Sequence, residues 1–174
     1  MKGFWSVMAT VFAAICQVTV APLFAVCGTA PDLVLLTLVL VTVFGSPRRT
    51  MVCIPVAALS FGFLADRAPA LLILGYLPLL PLAYYLEDAR VPLNHYARAL
   101  VVMLVTGGVV RSLFVTSAVV GGAEAPLGAV LGQVLIPGLL VDFALLSAVY
   151  IPLRLIGWSG QGMSLSRGTY YSSL

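Results

Sequence analysis

Arg111 and Asp142 are the residues in this chain whose placement most demands a chemical explanation. Each interrupts a long apolar run, and a charge at the centre of a lipid-embedded helix costs about 2.5–3.5 kcal/mol. Arg111 stands 13 residues after Arg98, about 20 Å along a helix. Asp142 stands 15 residues after Leu127, about 22 Å along the oppositely directed one. Within a core about 30 Å thick the two are then offset by about 12 Å. That is long for a direct bridge. Arg111 is therefore expected to lean outward to Asp66, Glu124 or a partner, with Asp142 left near the inner half. Gln17, the polar member of the first apolar run, suits either a hydrogen bond to a neighbouring helix or a ligand contact.

Catalytic chemistry finds little support. His95 is the sole histidine and has no second histidine or cysteine nearby, so it reads as a residue of an inner loop. Thr50, Ser60 and Ser112 lack a base at useful spacing, and Gly107-Gly108 and Gly121-Gly122 match no phosphate loop. Cys16, Cys27 and Cys53 have no metal-ligand spacing. The reading is a non-enzyme with no catalytic, cofactor-binding or metal-binding residues. Phe24 to Gly28 matches a lipoprotein cleavage box only loosely, because Val26 is bulky. The N-terminal run leads straight into further apolar segments, as a retained anchor would.

Small-residue stripes are a second signal. Ala58, Gly62 and Asp66 recur at i, i+4 and i+8, as do Gly128 with Gly132 and Gly108 with Ser112 and Thr116. Such faces let helices approach closely, inside one bundle or against a partner.

The elements that must carry these residues follow from composition. Of 174 residues, 61% are hydrophobic and 9% charged, where soluble domains have about 25% charged. The apolar runs are unbroken and do not alternate as barrel strands do. An all-α integral membrane protein of about six transmembrane helices in one compact bundle is expected over residues 1–158. A polar, poorly ordered tail is expected over 159–174. The candidate segments are Phe4–Phe24, Pro31–Phe44, Thr50–Ala65, Ala70–Leu86, Arg98–Val120 and Leu127–Ile151, with Glu87–Ala97 as a polar loop. Pro22, Pro78 and Pro81 should end or kink their helices. Asp32 sits after Pro31 at the favourable end of a helix dipole.

With the N-terminus inside, Lys2, Arg48, Arg49, Arg90, Arg98, Arg154 and Arg167 fall on the cytoplasmic side. Arg67 falls outside with Asp32, Asp66 and Glu124. That bias places both termini in the cytoplasm. No Lys/Arg run exceeds two residues, so neither nucleic acid nor a polybasic lipid site is expected.

One stretch of the chain also resembles a known family. Gln17, Ala30-Pro31-Asp32-Leu33-Val34-Leu35-Leu36, Gly45-Ser46-Pro47-Arg48-Arg49 and Gly62-Phe63-Leu64-Ala65-Asp66 are similar to the rod shape-determining protein MreD family, over roughly residues 10 to 86. The resemblance implies a non-catalytic inner-membrane scaffold of the bacterial cell-elongation complex, which directs peptidoglycan synthesis and cell shape. It further implies a helix arrangement like the substrate-binding subunits of energy-coupling-factor transporters. The implied partners are the single-pass protein MreC and, through it, the RodA–PBP2 synthase and MreB filaments. The family usually places a Ser/Gly/Pro-rich loop where Arg67-Ala68-Pro69 is brief here, so contacts of that loop do not carry over. The competing expectation is a small-molecule, vitamin-like binding subunit of a transporter, with a polar cavity lined by Gln17, Asp66 and Arg111.

Overall fold

The Pro31-Asp32 step fixes where the central helix begins, and the other elements are arranged around it. The computed structural model describes residues 2–25, 29–88, 94–122, 132 and 135–155. The expected tail, Cys27, Glu124 and Gly128 lie outside these residues. Described elements are helical: α1 (Lys2–Thr19), a 3-10 turn (Ala21–Phe24), α2 (Leu33–Phe44), α3 (Pro47–Leu64), α4 (Pro69–Tyr76), α5 (Leu79–Asp88), α6 (His95–Val120) and α7 (Ile136–Leu155).

Each boundary has a local cause. Pro22 lacks an amide hydrogen, and α1 stops short of it in a 3-10 turn. Asp32 caps α2 by accepting from the Leu35 amide at 2.8 Å. The turn after α2 needs Gly45, where a side chain would run into the Val41 carbonyl, and Pro47 opens α3. At the far end of α3, Asp66 adopts a left-handed φ of 50°. The Arg67 amide then reaches back to the Gly62 carbonyl at 2.9 Å, which is the Schellman closure. The fourth apolar run is broken at Leu77-Pro78 into α4 and α5, since Pro78 cannot donate the bond that would join them.

The axis of the bundle is α2. None of its residues is exposed, and it touches α1, α3, α5, α6 and α7. Val34, Leu35, Leu38 and Val39 are fully buried there, against Leu72, Val102 and Leu146 of the same core. Only small residues fit where α1 lies along α3: Ala14, Ala57 and Ala58 are completely buried. Thr50 and Thr42 hydroxyls meet at 3.3 Å across the α2–α3 hairpin. Gly75 brings α4 close to Val110 of α6.

α6 is long and apolar enough to cross a membrane unaided. The shorter apolar helices are Gly3–Thr19, Leu33–Phe44, Pro69–Tyr85 and Ile136–Pro152. One expected boundary needs correction. His95 is not a loop residue; it opens α6, stacked on Phe44 with ring centroids 5.9 Å apart. The expected start of the last segment, Leu127, lies outside the described residues; the last described helix is Ile136–Leu155.

Candidate functional site: a buried polar node at the start of α2

A helix that begins inside an apolar bundle must find partners for its first amides, because no water is there to take them. The sequence supplies these from three directions. The Gln17 side chain of α1 brackets Pro31: its Nε2 donates to the Pro31 carbonyl at 3.0 Å, and its Oε1 accepts from the Leu33 amide at 2.6 Å. Asp142 of α7 accepts the Asp32 amide on Oδ1 at 2.8 Å. Asp32 itself takes the Leu35 amide. Pro31 has no amide hydrogen to satisfy. The entry to α2 is thereby pinned by residues 14 to 110 positions away in sequence.

Arg111 of α6 completes the node, its Nη2 lying 2.5 Å from Asp142 Oδ2. The side chains are 13% and 1% exposed, so the pair sits inside the bundle. This corrects the expectation that Arg111 leans to Asp66 or Glu124 and stands apart from Asp142. The two charges stand at one level because α6 and α7 are aligned so that Arg111 meets Asp142 and Tyr96 meets Ser147.

Glycine makes the approach possible. Gly138 lies one turn before Asp142, and a Cβ added there would run into the Arg111 guanidinium. Gly107, one turn before Arg111, lets Leu139 and Leu35 pack close, with a hypothetical Cβ only 3.2 Å from either. Neither glycine role was foreseen, although both sit at i−4 from the charged residue they serve. Two buried hydroxyls, Tyr76 and Thr106, have no hydrogen-bond partner among the described residues.

The other expected residues fall elsewhere. Ala58 and Gly62 are buried; a side chain at Gly62 would clash with Pro69 and the Arg67 carbonyl. Their stripe packs α3 internally and closes the α3–α4 turn, so it offers no face to a partner. Asp66 is exposed at that turn, while Arg67 lies 4.7 Å over the Phe114 ring. Gly132 is exposed with open space around it. Gly108 is likewise open, and Ser112 and Thr116 bond back to carbonyls of their own helix. The hydroxyls of that stripe are therefore satisfied without a neighbour.

A second polar contact joins α6 and α7, where Tyr96 and Ser147 share a 2.8 Å hydrogen bond. Tyr96 and Tyr150 rings lie 5.0 Å apart at the same place. An apolar cleft of about 240 Å³ between α6 and α7 is lined by Leu100, Val101, Met103, Leu104, Leu139 and Phe143. Leu104 is 63% exposed along it. Comparison of the chain with protein-family models, curated proteins and solved structures gives no match.

Proposed function

We propose that the chain is a multi-pass integral membrane protein acting as a non-catalytic scaffold that holds the transmembrane helix of a single-pass partner. The observation that carries this is an inverted distribution of polarity. Arg111, Asp142, Asp32 and Gln17 are gathered inside, while Phe4, Trp5, Phe12, Met51, Phe63 and Ile151 stand exposed on the outside. A soluble monomer rarely leaves contiguous apolar patches beyond a few hundred Å²; a lipid-facing surface must be apolar. The short α2 needs no lipid face, because it is ringed by other helices.

Within this reading both termini are cytoplasmic, with Arg48 and Arg49 at the inner turn and Arg67 at the outer one. The α6–α7 cleft suits an apolar helix, since packing between helices in lipid depends on close van der Waals fit. Partner binding is thus assigned to this cleft and away from the Ala58–Gly62 face. The resemblance to the MreD family makes the partner an MreC-like protein in a bacterial cytoplasmic membrane. Through it, the RodA–PBP2 synthase and MreB filaments would be engaged.

The test is to purify the full chain from membranes and identify what comes with it. A single-pass membrane protein should co-purify, and Leu104→Trp, which fills the cleft, should weaken that association about tenfold, or roughly 1.4 kcal/mol. Undiminished co-purification by the Trp variant would remove the cleft from the proposal. A bound vitamin-like metabolite, seen by mass spectrometry without any partner, would favour a transporter subunit instead.

A further inference from the structure

Arg111 has hydrogen-bonding capacity that the bundle does not use. A guanidinium carries five N–H donors, yet among the described residues Arg111 makes one polar contact, from Nη2 to Asp142 Oδ2. Its Nη1 and Nε lie where a side chain at position 138 would be, so Gly138 supplies room there and no side-chain acceptor. The Arg111 side chain is 13% exposed, which leaves it within reach from outside the bundle. A donor without an acceptor is costly where no water is at hand.

This group is in register with the cleft. Leu104, Gly108 and Arg111 are spaced four and three residues apart on α6, the spacing that keeps side chains on one stripe of a helix. On α7, Leu139 and Phe143 line the cleft, and their chain neighbours Gly138 and Asp142 meet Arg111. A side chain placed at Gly108 would have nothing within 4 Å, so the stripe is open between its apolar and polar ends. Those ends are about 10 Å apart along the helix.

The geometry selects what covers this stripe. A cleft of about 240 Å³ falls short of the roughly 300–1,000 Å³ of small-molecule sites, and suits side chains better than a whole metabolite. An acyl chain would fill it but brings no acceptor to the depth of Arg111. With 26 residues, α6 is about 39 Å long, close to the roughly 40–45 Å of a bilayer with its headgroups. Arg111 stands nine residues before Val120, about 14 Å inside that end and so within the hydrocarbon. A transmembrane helix supplies both an apolar side chain and an acceptor at this depth. The carboxylates of Asp142 and Asp32 already stand at the node, so a third would be repelled.

We propose that the helix held on α6 and α7 carries a bulky apolar residue that fills the cleft and, about seven residues along, an uncharged acceptor for Nη1–H or Nε–H of Arg111. Side chains of Asn, Gln, Ser or Thr meet that need. This pairing rests on the assignment of the cleft to a partner helix, and adds the chemistry by which that helix is chosen.

Synthetic transmembrane peptides, bound to the full chain in detergent micelles and followed by fluorescence, provide the test. Each is a Leu/Ala helix with terminal lysines, one Phe, and Asn, Asp or Leu about seven residues from it. The Phe/Asn peptide should bind about tenfold tighter than Phe/Leu, and Phe/Asp should gain less. Moving the Asn by about two residues, onto another face, should abolish its gain in the unaltered chain. The gain should also vanish in the double variant Arg111→Met with Asp142→Asn, which removes the guanidinium without stranding a charge. Equal affinities for Phe/Asn and Phe/Leu, or a gain that survives the double variant, would overturn the pairing; the cleft assignment would stand if Leu104→Trp still weakens the Phe/Leu peptide. If no peptide binds, or Leu104→Trp leaves binding intact, the cleft assignment falls and the pairing with it. Tightest binding by Phe/Asp would overturn the uncharged acceptor.

Discussion

Asp142 serves two masters: the Arg111 guanidinium on one oxygen and the Asp32 amide on the other. Removing it strands a buried cation and a buried donor together. Asp142→Ala should therefore lower stability by about 3 kcal/mol or more, the usual cost of breaking a buried pair from one side. Arg111→Met combined with Asp142→Asn should cost clearly less than the two single effects added, because the stranded charge is gone and Asn can still accept the amide. Unfolding in mixed micelles measures this cycle, and strict additivity would contradict the direct bridge. The pairing was only half legible in the sequence. Two unshielded charges in apolar runs announced that each needed a partner, but the choice of partner depended on how α6 and α7 align, which hydropathy alone does not mark. Gln17 was legible as a hydrogen-bonding amide, yet its partner is an irregular backbone segment at Pro31 and not a helix face.

At the scale of elements, glycine positions separate close contacts from open surface. Gly138 and Gly108 look alike in sequence, each inside a helix of Val and Leu. In the structure Gly138 abuts the Arg111 guanidinium and Gly108 faces nothing. Gly138→Ala should destabilise by about 1–3 kcal/mol through overpacking. Gly108→Ala should be neutral or stabilise by up to about 1 kcal/mol through helix propensity. Thermal melting of the two variants side by side decides the matter, and equal effects would mean that α6 and α7 do not approach as described. Proline was the more readable punctuation: Pro22, Pro47 and Pro78 each mark an element boundary. Pro55 and Pro152 lie inside helices that continue through them, so the same residue type did not dictate the same outcome.

At the scale of the whole molecule, the α2–α3 hairpin is less a surface feature than an interior one. Its first helix is enclosed on all sides, and the small residues of its second are spent on internal contacts. An apolar cleft lies between α6 and α7, helices that are also joined by Arg111–Asp142 and Tyr96–Ser147. This cleft was invisible in the sequence, since its lining is drawn from two separate helices and has no local composition of its own.

The bond from the Asp32 amide to Asp142 spans 110 residues, and that separation bears on how the protein is made. A ribosome adding about 5–20 residues per second needs roughly 5–20 s to bridge it. Throughout that interval the start of α2 lacks the acceptor that its first amide has in the finished chain. The nascent chain thus carries an internal signal of incompleteness that only the last helix extinguishes. A chain terminated after Val120 should accordingly be cleared by membrane proteases, while the full-length chain persists, and a pulse-chase comparison would show the difference. Equal lifetimes would mean that another group can stand in for Asp142 while the chain is unfinished.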